Sequence, residues 1–245
     1  MNFDHQKTAD RILGSQMKSY FNKMGFSRKA RVVDVGCGVG RFTRILARYF
    51  YDGSVLALDG RKDRQGERDP FIKEALTKTM AKHDNVAYWA KHFDEADFGR
   101  KKWDHLFFAF PEDSIGLGEE DALLAASILK KGGSLVYLYR TKHCETEAEQ
   151  VLEDLNDLCY EVLKVHQPQV DKTLHYLQKA GFKEVHRTSF CRKVTMADPK
   201  VVEMTAHLVS KKGTAKQKKR LAALKKTIAK NGIHMGWYDV VQFSH

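Results

Sequence analysis

The sequence lacks the patterns that commonly bring metal ions or disulfides into a protein's chemistry. Its four cysteines include no CxxC pair, and its eleven histidines include no HExxH pair that would place two imidazoles on one helical face. We therefore predict no metal site. The chain also lacks an apolar run of the roughly 20 residues that span a bilayer, and residues 1–10 are too polar for a signal peptide. We expect a cytoplasmic protein with reduced thiols.

Charge is unevenly distributed along the chain. The formal net charge is +11, yet residues 211–230 hold nine basic residues and no acidic one. Conversely, residues 145–161 hold seven acidic residues and no Lys or Arg. The basic segment could neutralise nucleic acid phosphates or lie against anionic lipid, or it could be a solvated helix face attracted to the acidic segment. We favour the solvated face and keep the other two as alternatives.

Short apolar runs alternate with helical periods through most of the chain, which is typical of a parallel sheet with helices on both faces. The length suits one domain, residues 1–245. The sequence therefore predicts a doubly wound α/β fold with a seven-stranded, mostly parallel sheet. Helices are expected before the sheet, between its strands and over the acidic and basic segments. The predicted strands are Arg31–Asp34, Ser54–Leu58, Val86–Trp89, Leu106–Phe110, Ser134–Tyr139, Glu184–Phe190 and Trp237–Phe243.

A glycine-rich turn follows the first predicted strand, where residues 34–40 read Asp-Val-Gly-Cys-Gly-Val-Gly. Alternate glycines let a ligand approach the backbone, and free N–H groups at the next helix start favour an anionic group. In open α/β sheets, ligands bind beyond the carboxyl ends of the strands, where this turn is expected. The dinucleotide fingerprint GxGxxG is absent, because its third glycine would fall at Arg41 or Thr43.

The pattern acidic-x-Gly-x-Gly-x-Gly resembles the first motif of the class I S-adenosylmethionine-dependent methyltransferases, and the resemblance extends over residues 32–139. It implies S-adenosylmethionine as cofactor, with Asp34 helping to hold the methionine ammonium. Asp59 ends the second strand, and its carboxylate can accept hydrogen bonds from both ribose hydroxyls. The alternative is that Asp59 and the glycines only form turns. The expected cofactor-binding residues are Asp34, Gly36, Cys37, Gly38, Gly40, Asp59, Gly60, His92 and Phe93.

Two positions depart from the family pattern. After the third strand, many members carry an acidic residue for the adenine amino group, whereas this chain has His92, followed by Phe93. A neutral imidazole could accept that hydrogen bond, or His92 could be an exposed loop residue, with Asp94 as the acceptor instead. After the fourth strand the chain lacks Asn-Pro-Pro-Tyr, the tetrapeptide of methyltransferases acting on the exocyclic amine of adenine. Its absence argues against a nucleobase amine as acceptor.

The candidate bases are Glu112, after the fourth strand, and His143, after the fifth. Each could equally be a solvated surface residue, and methyl transfer to a phenol, thiol or amine requires no dedicated base. His105 is excluded as a base, because it lies at the opposite end of its strand from the expected cofactor site. The catalytic residues therefore stay unassigned at this level.

The resemblance further implies a cofactor-binding core at residues 26–140 and cap or substrate elements at 1–25, 141–168 and 191–236. Aromatic residues available to wall a pocket are Tyr20, Phe110 and Trp237. We therefore expect a methyltransferase acting on a small molecule, similar to those of quinone and natural-product biosynthesis. The alternatives are an RNA methyltransferase that uses the basic helix 211–230 and a cofactor-binding protein without catalysis. The sequence indicates no oligomeric state.

Overall fold

The structure is a computed structural model that describes residues 3–62, 66–67, 69–100, 102–110, 117–164, 170–195 and 200–245. Seven strands lie in these ranges: β1 (Arg31–Val35), β2 (Ser54–Leu58), β3 (Val86–Trp89), β4 (Trp103–Ala109), β5 (Leu129–Arg140), β6 (Lys183–Thr195) and β7 (His234–Ser244). The helices are α1 (Phe3–Lys23), α2 (Arg41–Tyr49), α3 (Pro70–Met80), α4 (Glu119–Ile128), α5 (Glu147–Leu163), α6 (Val170–Lys179), α7 (Lys200–Lys212) and α8 (Ala215–Asn231).

The strands form one sheet in the order β3-β2-β1-β4-β5-β7-β6. Pairing is parallel between β1 and β2, β1 and β4, β2 and β3, and β4 and β5. The chain leaves β1 to one side for β2 and β3 and to the other for β4 and β5, so the order reverses at β1. The predicted doubly wound, mostly parallel sheet of seven strands is confirmed.

β7 runs against the direction of β5. The Thr141 N–H, just beyond β5, donates to the Trp237 carbonyl over 3.1 Å, and the Tyr139 hydroxyl donates to the Asp239 carboxylate over 3.0 Å. Residue numbers rise along β5 as they fall along β7, so the two strands are antiparallel. The parallel part of the sheet therefore consists of the five strands β3, β2, β1, β4 and β5, and the glycine-rich turn follows its central strand, β1.

The central strands are apolar along nearly their whole length, because helices cover both faces of a parallel sheet. Residues 32, 33 and 35 of β1 and the last four residues of β2 are buried hydrophobics. β4 and β5 continue this core with Leu106, Phe107, Leu135 and Val136, each fully buried. These runs are the ones from which the strands were predicted.

The basic segment is helical, as predicted, but two helices share it. α7 ends at Lys212 and α8 begins at Ala215, with Gly213 and Thr214 between them. The Thr214 hydroxyl accepts from the Gln217 N–H over 3.3 Å, and the Gln217 side chain accepts from the Thr214 N–H over 2.8 Å. This reciprocal capping box starts a new helix at Ala215.

The chain divides into two compact units. Unit 1 comprises Met1–Ser15, Arg140–Gln167 and Ser189–Tyr238, and unit 2 comprises Gln16–Tyr139, Pro168–Thr188 and Asp239–His245. Unit 1 overlaps the elements 1–25, 141–168 and 191–236, but a single domain with a cap stays a prediction. In unit 1, α5, α7 and α8 pack around their own apolar core, which includes Val151, Leu155, Leu158, Val209, Leu221 and Leu224. No helix in the described part of the chain is both long and apolar enough to cross a membrane.

Candidate functional site

The turn after β1 has left-handed backbone at every second residue. The φ angles are +69° at Gly36, +52° at Gly38 and +73° at Gly40, a region that side chains with a Cβ rarely enter. The loop is anchored by the Cys37 N–H, which donates to the Leu58 carbonyl of β2 over 2.9 Å. The glycines therefore permit the backbone of this turn, as the sequence predicts. Gly36 is open, whereas the Arg61 guanidinium lies beside Gly38 and the Leu76 side chain packs on Gly40.

Asp34, in β1, is a buried carboxylic acid that is only half satisfied. The Thr43 hydroxyl of α2 donates to its Oδ2 over 2.6 Å, while its Oδ1 is buried and has no hydrogen-bond partner among the described residues. Burial raises the pKa of Asp34 to about 7, the Thr43 hydrogen bond acts to lower it, and the Asp59 charge raises it further. A cationic ligand group would satisfy the free oxygen and restore the ionised form.

Asp59 follows β2 and is also buried, with both carboxylate oxygens engaged. Its Oδ2 accepts from the Gly38 N–H over 2.8 Å and from the Arg61 guanidinium over 3.2 Å, and its Oδ1 accepts from the Arg61 N–H over 3.0 Å. Val35 pairs with Leu58, so the ends of β1 and β2 are neighbours. The structure thus brings Asp34, Asp59 and the glycine loop together, and it adds Thr43 and Arg61, which sequence reasoning missed.

The segment after β3 lies directly against Gly60. A Cβ on Gly60 would come within 2.3 Å of the His92 backbone nitrogen, so only glycine fits this approach. His92 is exposed, which suits either interpretation of that residue. Phe93 is turned into the core, where its ring lies 5.5 Å from that of Phe108. The adenine contact of His92 stays a prediction.

Cys37 contributes its backbone rather than its thiol. The side chain is buried, and burial raises the pKa of the thiol, with the charges of Asp34 and Asp59 raising it further. A thiol that stays protonated is a poor nucleophile. Among the described residues, no group of three or more His, Cys, Asp or Glu side chains is arranged to hold a metal ion.

Tyr20, predicted to wall the substrate pocket, is buried, and its contact with a substrate stays a prediction. Its side chain is 2% exposed, its hydroxyl donates to Gln242 over 3.1 Å, and its ring lies 5.9 Å from that of Phe21. The helical periodicity that placed it on the apolar face of α1 also buries it. Phe110 leaves β4 half-buried, with φ of +52°, a conformation that strains a bulky residue. Glu112 lies outside the described residues.

His143 and Trp237, a candidate base and a candidate substrate contact, lie side by side in unit 1. Their ring centroids are 5.3 Å apart at an interplanar angle of 74°. The His143 ring is largely exposed, with its Nε2 3.9 Å from the Glu145 carboxylate. The Trp237 indole N–H is buried and has no hydrogen-bond partner within the described ranges. The pair therefore combines an exposed imidazole with a donor that lacks an acceptor.

The acidic helix α5 neutralises little of the basic segment. Arg220 pairs with Glu161 over 2.6 Å and with Asp154 over 3.7 Å. Other α5 carboxylates pair with Arg140 and Lys142, which lie outside the basic segment. The remaining basic residues are exposed and form no ion pair with any described residue: Lys211, Lys212, Lys216, Lys218, Lys219, Lys225, Lys226 and Lys230.

Comparison with known proteins agrees with this architecture. A family model described as FtsJ-like methyltransferase matches residues 15–201. No curated protein sequence matches the chain. Among solved structures, a cyclopropane-fatty-acyl-phospholipid synthase-like protein from Lactobacillus casei ATCC 334 is similar with a TM-score of 0.69 at 10% identity, over 97% of this chain and 92% of that one.

Two further structures show the range of proteins that share the fold. Coclaurine N-methyltransferase, solved with N-methylheliamine and S-adenosylhomocysteine, has a TM-score of 0.56 at 13% identity, over 95% of this chain and 70% of that one. A Pyrococcus horikoshii protein proposed to be an RNA methyltransferase has a TM-score of 0.52 at 12% identity, over 95% of this chain and 83% of that one. At such identities the similarity shows the fold alone.

Proposed function

Because the chain belongs to the FtsJ-like methyltransferase family, whose cofactor is S-adenosylmethionine, we propose that it transfers the methyl group to a small-molecule acceptor. The observation that carries this proposal is the pairing of His143 with Trp237 in unit 1. Membership in a methyltransferase family sets aside the alternative of a cofactor-binding protein without catalysis.

The residues after β1 and β2 fit the cofactor. The free Oδ1 of Asp34 suits the methionine ammonium, the glycine turn suits the adenosine, and Asp59 suits the ribose. When bound, S-adenosylmethionine supplies an electrophilic methyl group on a sulfonium. The protein therefore has to position the acceptor and keep its nucleophile in line.

The acceptor is proposed to contact Trp237 and His143. A buried indole N–H without an acceptor costs free energy, which an oxygen or nitrogen of a bound molecule would recover. The imidazole beside it could take a proton from the acceptor, and its exposure leaves it free to do so. This arrangement favours a small polar acceptor with a planar part that can lie against the indole.

A second candidate acceptor is RNA, and the unpaired lysines of α7 and α8 favour it. Lysines 216, 219, 226 and 230 recur at helical spacing along α8. No carboxylate among the described residues pairs with them, so their charge is available to phosphates. The surface of α8 is otherwise mostly alanine, without large apolar residues that could insert into lipid.

Transfer of a labelled methyl group into fractionated cell extract tests both candidates. Counts in small molecules that fall with Trp237→Phe and with His143→Gln, while S-adenosylhomocysteine binding is unchanged, would support the first proposal. Trp103→Phe is the matched control, because the Trp103 indole N–H is also buried without a hydrogen-bond partner among the described residues but lies at the amino end of β4. Labelling that is indifferent to both substitutions removes the pair from the site.

Counts in RNA would establish the second candidate instead. They should then fall when lysines 216, 219, 226 and 230 are all changed to Gln, with a steep dependence on salt. A control that changes lysines 29, 73, 82 and 91 removes the same charge from exposed positions of unit 2. Equal losses in the two variants would show a general charge effect and exclude α8 as the RNA contact.

A further inference from the structure

The Asp59 carboxylate has too few free acceptor positions for a ribose. An ionised carboxylate offers about four lone-pair positions. The described structure fills three of them, with the Gly38 N–H, the Arg61 N–H and the Arg61 guanidinium. Two ribose hydroxyls need two positions, so one of the present donors has to leave.

The Arg61 guanidinium is the donor best able to leave. The N–H groups of Gly38 and Arg61 are held by the glycine loop and by the turn after β2, respectively. The guanidinium ends a flexible side chain that is 53% exposed, and its hydrogen bond, at 3.2 Å, is the longest of the three. The guanidinium is half in solvent, which weakens its pair with the buried Asp59 carboxylate, and water can solvate the guanidinium once it leaves.

The guanidinium also lies over the turn itself. A Cβ on Gly38 would come within 3.2 Å of the Arg61 Nη2. Because Gly38 has no side chain, the Arg61 guanidinium can approach the backbone of the turn beside the buried Asp59 carboxylate. Once away from Asp59, the guanidinium would be a cation beside the cofactor site, with fork geometry suited to phosphate or carboxylate.

We propose that Arg61 leaves Asp59 on cofactor binding and then binds an anionic group, phosphate or carboxylate, of the methyl acceptor. The proposal rests on the proposed function, which assigns the ribose to Asp59. Cofactor and acceptor then bind cooperatively, because each favours the same position of Arg61. The site thus admits its acceptor most strongly after the cofactor is bound.

Calorimetry with S-adenosylhomocysteine tests the first half of this proposal. Arg61→Gln removes the competitor for Asp59, so the affinity should rise by roughly two- to five-fold. The control is Arg44→Gln, which removes a guanidinium that donates to the Val39 carbonyl of the same loop over 3.1 Å. An unchanged or weaker affinity in Arg61→Gln overturns the exchange at Asp59.

Asp59→Asn distinguishes failure of this proposal from failure of the proposed function. If Asp59→Asn leaves S-adenosylhomocysteine binding intact, the ribose assignment itself is wrong. If Asp59→Asn weakens binding while Arg61→Gln changes nothing, the site is correct and the role of Arg61 is wrong. Both variants are measured by binding alone, without an acceptor.

Coupling to an anion tests the second half. Inorganic phosphate, against sodium chloride at equal ionic strength, should tighten S-adenosylhomocysteine binding to the wild type, and Arg61→Gln should abolish this effect. Arg61→Lys should restore part of it. Acetate and a short RNA oligonucleotide as further probes distinguish a carboxylate-bearing or phosphate-bearing small acceptor from a nucleic acid. Absence of coupling with all probes, or equal coupling in Arg61→Gln, overturns the proposal.

Discussion

The Thr43 hydroxyl lies 2.6 Å from one oxygen of the Asp34 carboxylate, whose other oxygen is buried without a partner among the described residues. α2 supplies Thr43 and β1 supplies Asp34, so the contact depends on how the helix packs on the strand. It orients the carboxylate while leaving half of it unsatisfied. Such a residue costs stability in the unliganded protein and is retained where a ligand needs it.

Asp34→Asn should stabilise the unliganded protein above neutral pH and weaken cofactor binding. The folded state raises the pKa of Asp34 from 3.8 to about 7, so ionisation costs folding free energy progressively as pH rises through that range. The cost at pH 8 is at most about 4 kcal/mol, and asparagine avoids it. Denaturant unfolding at pH 8 should show the gain, and calorimetry at least a ten-fold loss of S-adenosylhomocysteine affinity. A variant that is no more stable, or that binds normally, contradicts this assignment.

His105→Gln should remove part of the acid sensitivity of the fold. The His105 ring packs on Phe26 and its Nδ1 lies 2.8 Å from the Ser134 hydroxyl. Burial lowers the pKa of His105 from 6.5 to about 4. Between pH 4 and pH 6.5, His105 is therefore protonated in the unfolded chain but neutral in the folded protein. Stability contributed by the neutral ring is therefore lost as pH falls from 6.5 to 4, by at most about 3 kcal/mol.

Unfolding free energies measured from pH 4 to pH 7 check this expectation. Asp34 acts in the opposite direction over the same range, because its protonation on acidification favours the folded state. The two contributions separate in the difference between wild type and His105→Gln, since Asp34 is present in both. An identical pH profile for the two proteins would show that His105 does not titrate as described.

Gly60→Ala should be more damaging than Gly36→Ala. A Cβ at Gly60 would meet the His92 backbone nitrogen at 2.3 Å, so the segment after β3 has to move, at a cost of about 2–3 kcal/mol. At Gly36 a Cβ would meet nothing within 4 Å, which leaves only the strain of φ +69°, about 1 kcal/mol. Thermal unfolding and S-adenosylhomocysteine binding of the two variants should show this order. If Gly36→Ala lost more stability than Gly60→Ala, the close contact with His92 would not be the reason that position 60 requires glycine.

Arg220→Gln and Lys219→Gln remove the same charge from neighbouring positions of α8, with different expected results. Arg220 pairs with two α5 carboxylates, whereas Lys219 is exposed and pairs with none in the described chain. The first substitution should lower the unfolding free energy by about 0.5–1 kcal/mol at low salt, and the second by almost nothing. Added salt screens the Arg220 ion pairs and should therefore reduce the difference in unfolding free energy between the two variants. Equal effects at low salt would indicate that the Arg220 pairs contribute nothing.

Several elements were predictable because their signals are local. Strands β1 to β3 were located to within a residue, since each is a short apolar run between turn residues. The glycine turn was predictable for the same reason, because positive φ excludes most other residues. The end of α7 was missed although the sequence contains Thr214 and Gln217 at capping-box spacing, because the basic composition continues across the break.

Other features depend on packing between distant segments and could not be predicted locally. Tyr20 and Phe93 are aromatic residues of the kind that line ligand pockets, but the folded chain buries both side chains in the core. The contact of Arg61 with Asp59 depends on the loop after β2, whose conformation no short pattern specifies. Only the folded chain also places Trp237 beside His143, since β7 returns along β5 in the opposite direction.

The amino-acid sequence by itself determined the class of sheet, the turn that follows β1 and the two acidic residues at the ends of neighbouring strands. These follow from backbone sterics and from apolar periodicity, which act over a few residues. The tertiary structure decided which oxygen of Asp34 is left free, which cation lies on Asp59 and which lysines are left unpaired. Those outcomes depend on burial and on hydrogen bonds between segments far apart in the chain, which form only when the whole sheet is assembled.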